Sequence, residues 1–114
     1  MFDFQKLKVY TYAKEFAGET LQLIKDSSFD AVINDQLKRA SLSIMLNIAE
    51  GSSRFSNRDR RHFMIIARGS TFECAALLEF LRQHKLISSE CYQSRNDRLE
   101  EISRMLYGLI KKLS

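Results

Sequence analysis

Four arginines crowd one short stretch, SSRFSNRDRRHF. Arg54, Arg58, Arg60 and Arg61 stand against a single acid, Asp59, with Phe55 and His62 among them. Guanidinium groups at this density suit the non-covalent capture of phosphate, which is independent of base sequence and weakens with salt. An aromatic ring beside them, Phe55, adds a surface on which an unpaired base can stack. A solvated turn whose charge keeps the molecule dispersed would leave the same trace in the sequence.

Just upstream, Gln36, Arg39, Ser43, Asn47 and Glu50 recur every three or four residues within an otherwise apolar run. That spacing places them along one stripe of a helix. The remaining positions are so apolar that the stripe reads as internal. If this segment forms an antiparallel hairpin with the next one, turning near Arg54, then Arg39 comes level with Glu73, and Ser70 falls on the same side. A buried Arg39–Glu73 pair would offset its desolvation cost poorly but would fix how the two helices register. The competing reading of Gln36, Arg39, Ser43, Asn47, Glu50, Ser70 and Glu73 is a polar pocket or lumen that holds an anion.

Covalent and metal chemistry find little to work with. His62 and His84 are the only histidines, and neither has a second ligand one helical turn away. Cys74 falls on an apolar stripe, where a thiol is inert. No nucleophile turn or glycine-rich phosphate loop occurs, and EGSS follows a helix without introducing one. A non-enzymatic protein without metal or cofactor is expected.

The elements that would position these residues are all helices. Helical periodicity runs from about Asp3 to Lys25, about Ala31 to Glu50, Ser56 to about His84, and from ISSE at residues 87–90 to the end. DSSFD forms the first turn, Gly51 closes the second helix as a left-handed terminus, and Ser56 caps the third. The third helix turns Phe63, Ile66, Ala67, Ser70, Cys74, Leu77 and Leu81 inward. The fourth repeats Tyr92, Leu99, Leu106 and Leu113 every seven residues. No segment alternates as a strand does. The expected fold is an all-α, antiparallel up-down-up-down four-helix bundle forming one domain over residues 1–114. Met64, Ile65, Phe72 and Ala75 lie off the inner stripe of the third helix. The excess predicts an outer surface that meets copies of the same chain.

The totals agree with this picture. The chain has 114 residues, no proline and four glycines, which suits long helices and short turns. A formal charge of +4 favours anionic partners. Two isolated cysteines predict reduced thiols, and the N-terminus lacks the apolar core of a signal peptide. A cytoplasmic protein without membrane contact is the expectation.

QLKRASLSIMLNIAEGSSR followed by FMIIARGSTFE resembles the signature of the 23S ribosomal RNA intervening-sequence proteins. Gln36, Arg39, Ala40, Ser43, Ile44, Asn47, Ile48, Ala49, Glu50 and Gly51 match its first part, and Ala67, Gly69, Ser70 and Glu73 its second. FDFQKLKVYTYA is similar to the family's first helix. The first connector, SSFDAV, departs by lacking the proline that often follows the phenylalanine. The resemblance implies a four-helix bundle assembled as a ring, typically a homopentamer, with a molecular role that is poorly defined. A distantly related bundle, the accessory protein of diversity-generating retroelements, is a basic pentamer that binds nucleic acid. Together these features predict a ring that contacts RNA or DNA through Arg54, Phe55, Arg58, Arg60 and Arg61. An oligomeric adaptor that recognises another protein is the alternative.

Overall fold

Short polar side chains open three of the four helices. The Asp30 carboxylate accepts from the backbone N–H of Val32, the Ser56 hydroxyl from that of Asp59, and the Ser88 hydroxyl from that of Cys91. Each satisfies one of the free donors at a helix start. The computed structural model describes residues 1–114. A single 3-10 turn, Asp3–Lys6, precedes α1 (Lys8–Asp26), α2 (Ala31–Ser52), α3 (Asn57–Gln83) and α4 (Ser89–Lys112), and there is no strand. No helix is long and apolar enough to cross a membrane.

α1 packs against α2 and α4, α2 against α3, and α3 against α4. The four thus close around one core that includes Phe16, Leu37, Ile44, Ile48, Leu78, Leu81, Leu99, Ile102 and Leu106. The molecule is elongated, 44 × 22 × 21 Å.

Three local expectations are corrected. The first helix does not begin at Asp3. Leu7 is extended, and the preceding turn sets the Phe4 ring edge-on against Tyr10, 4.8 Å away. Gly51 does not end α2, which runs on to Ser52, and no glycine has a positive φ. A Cβ there would lie 3.0 Å from Phe63 Cβ and from Met64 Cε, so the glycine allows α3 to approach. The inner stripe of α3 is also rotated from the expected one. Met64, Ala67, Thr71, Cys74, Leu78 and Leu81 are buried, whereas Ile66 is exposed and Phe63 and Leu77 only half-buried. The buried set steps by three and four without interruption, as a packed seam requires.

The end of α3 has the left-handed residue that Gly51 lacks. Lys85 has φ 60°, with Leu86 N–H donating to Leu81 C=O and Lys85 N–H to Arg82 C=O. This is a Schellman closure made with lysine in the place usually taken by glycine.

Candidate nucleic-acid interface

The link between α2 and α3 is short and tied down. Its backbone continues the last turn of α2, with Arg54 N–H donating to Gly51 C=O. Arg54 reaches back to the Glu50 carboxylate and stacks its guanidinium over the Phe63 ring at 4.6 Å. Arg60 donates from Nε to the Arg54 carbonyl at 2.7 Å, closing the turn from the α3 side. Two of the four arginines are thereby spent on the turn itself.

The other two are free. Arg58 and Arg61 are exposed, and neither enters any of the four ion pairs of the protein, Arg39–Asp35, Arg54–Glu50, Arg98–Glu15 and Arg104–Glu100. Phe55 sits at the tip, 99% exposed. A phenyl ring held fully in water gains nothing from the fold, and it stands beside unneutralised guanidinium groups. Such a surface can stack a flat ring and neutralise phosphates.

The polar stripe of α2 is an outer feature, contrary to the internal network expected. Gln36, Arg39, Glu50 and Glu73 are exposed, Ser43 and Asn47 are half-buried, and Ser70 is buried. The Ser43 and Ser70 hydroxyls lie 2.8 Å apart, and Asn47 Nδ2 donates to the Ser43 carbonyl and hydroxyl at 2.8 and 3.0 Å. The Arg39–Glu73 pair does not form: Arg39 lies 3.8 Å from Asp35, its side chain 79% exposed. The core side of α2 is Leu37, Ala40, Ile44, Ile48 and Gly51, and Gln36 stands about 100° from Leu37 around the axis. Level placement across a hairpin therefore does not bring Arg39 and Glu73 into contact, because both point outward.

A second basic feature escaped the residue-type reading. Between α3 and α4, Arg61, Ile65, Arg68, Phe72 and Tyr107 line a cleft of about 440 Å³. The Arg68 guanidinium lies 4.8 Å from the Phe72 ring and 5.5 Å from that of Tyr107. The four-residue step from Arg68 to Phe72 was the signal available in the sequence. Tyr107 had none, since it comes from another helix.

Nothing in the geometry suggests covalent chemistry. Cys74 is enclosed by the core, which pushes its thiol up to about 12, with the Glu73 carboxylate acting in the same sense. No group of three or more His, Cys, Asp or Glu converges as metal ligands do.

A family model described as 23S rRNA-intervening sequence protein matches residues 5–108. The crystal structure of a protein of unknown function from the S23 ribosomal protein family of Bacteroides thetaiotaomicron superposes with a TM-score of 0.87. It is 30% identical, and the match covers 90% of this chain and 98% of that one. No curated protein matches the chain.

Proposed function

The chain belongs to the 23S rRNA-intervening sequence protein family, and from that membership and the geometry of its α2–α3 turn we propose a non-enzymatic, RNA-binding, ring-forming bundle of the cytoplasm. The subunit is an antiparallel up-down-up-down bundle, a reading supported by Gly51 meeting Phe63 near the turn and Ser43 meeting Ser70 further along. Copies close into a ring, typically a pentamer in this family, and each contributes one turn to a rim.

The observation that carries the RNA reading is Phe55 at the tip, fully exposed and flanked by the unpaired Arg58 and Arg61. Arg54 and Arg60 hold the turn that presents them. Phosphates dock on the free guanidinium groups, and unpaired bases of a structured RNA stack on Phe55. Repetition around the ring multiplies weak single contacts into avidity.

Fluorescence anisotropy with a labelled RNA hairpin tests this directly. Wild type should bind at low salt and weaken steeply as salt rises. Replacing Arg58 and Arg61 by Ala should weaken binding at least tenfold and flatten the salt slope. No binding at low salt, or equal binding by the double variant, would exclude the reading and leave a protein-protein adaptor as the better one.

A further inference from the structure

We infer that the chain docks on a second copy of itself through two different faces, the outer stripe of α2 entering the groove between α3 and α4 of its neighbour. This deepens the ring reading above and rests on it.

Both faces are second stripes on helices whose first stripe already packs the core. On α3, Arg61, Ile65, Arg68 and Phe72 step by three and four along the groove, and Phe72 is 56% exposed. No carboxylate lines this cleft, and neither arginine enters an ion pair. On α2, Asp35, Arg39, Leu42 and Leu46 step in the same way, and Leu46 is 57% exposed. Asp3 and Glu50 stand beside Leu46 around a depression of about 430 Å³. One face is thus apolar and cationic, the other apolar with carboxylates at one end.

The two faces also agree in height along the helices. Gly51 meets Phe63 and Met64, and Ser43 meets Ser70, which sets the level of each residue on α2 against α3. By that scale Glu50 stands level with Arg61 and Ile65, Leu46 with Arg68, and Leu42 with Phe72. Arg39 falls level with the next cleft beyond Phe72, where Glu100 is a lining residue. Rotation about an axis parallel to the helices shifts no copy along that axis. It therefore brings equal heights together: Glu50 to arginine, leucines to the aromatic wall, Arg39 to Glu100. Two unlike faces on one chain make a head-to-tail contact, the kind that closes into rings. Arginine and aromatic side chains are also the residues in which such contacts are enriched.

Leu46→Glu and Phe72→Glu alter exposed positions, so helical circular dichroism should be retained in both. Light-scattering mass of the full chain is then read for wild type, each variant and their equimolar mixture. Wild type should be a closed multi-chain species and each variant a monomer. The mixture should form a two-chain species and stop there, since it retains one intact groove and one intact stripe per pair. Variants with the wild-type mass, or a mixture that stays monomeric, would overturn the assignment of faces while leaving the ring in place. Loss of RNA binding by Phe72→Glu at unchanged mass would also overturn it, and would make the groove a nucleic-acid site. A monomeric wild type would remove the ring reading itself.

Discussion

At the scale of single residues, the environment of a group decides its chemistry more than its type does. Cys74 has no water around it, so its thiolate is costly and the thiol keeps its proton to about pH 12. An unfolded thiol ionises near 8.5. Between those values the unfolded chain has lost a proton that the folded chain retains. The unfolded state then binds fewer protons, so rising pH favours unfolding. A Cys74→Ala variant lacks this contribution. Its urea midpoint should fall less than that of wild type between about pH 8.5 and 10.5, and parallel pH profiles would show that the thiol is not the cause. The arginines of the turn divide by the same logic. Arg54 and Arg60 have partners within the fold, whereas Arg58 and Arg61 have none and keep their full affinity for an external anion.

At the scale of the elements, the α2–α3 contact depends on one glycine. In an isolated helix Gly51→Ala would stabilise by about 1 kcal/mol through helix propensity. Here the new methyl would meet Phe63 Cβ at 3.0 Å and the Arg60 carbonyl at 3.3 Å, atoms of the facing helix that cannot swing aside. Only Met64 Cε, the far end of a flexible side chain, can move away. Crowding of this kind costs about 1–3 kcal/mol, so a net loss of stability is expected in urea titration. A gain would mean that α3 shifts freely, and the same shift would move the Arg54–Arg61 turn. The turn is thus coupled to core packing: Gly51 lies directly beneath the arginines that close it.

For the molecule as a whole, each chain offers only two free arginines and one exposed ring at the turn, a small surface by the standard of nucleic-acid sites. Affinity then comes from number. If the ring supplies it, the monomeric Leu46→Glu variant retains Phe55, Arg58 and Arg61 but loses the multiplication of contacts. Its RNA affinity should drop 10²-fold or more, with a shallower salt dependence. Equal affinity per chain in ring and monomer would show that one turn suffices. The elongated shape favours this arrangement, since helices standing side by side place every turn at the same end of the assembly.

Helical periodicity, absence of proline and three polar caps were enough to place the four helices to within a few residues, because these signals are local. The family signature and the density of arginine were equally local. Tertiary structure decided the rest. Apolar residues ring α3 so fully that periodicity established a helix without its phase, and only packing against α2 and α4 turned Met64, Thr71 and Leu78 inward. The hairpin placed Arg39 and Glu73 at one level, but level says nothing about direction around the axis, and both point outward. Gly51 read as a terminus because glycine serves both for left-handed ends and for close approach; the neighbouring helix, absent from any local window, selected the second. The same holds for the groove, where Arg68 and Phe72 meet Tyr107 from a helix that begins beyond the next turn.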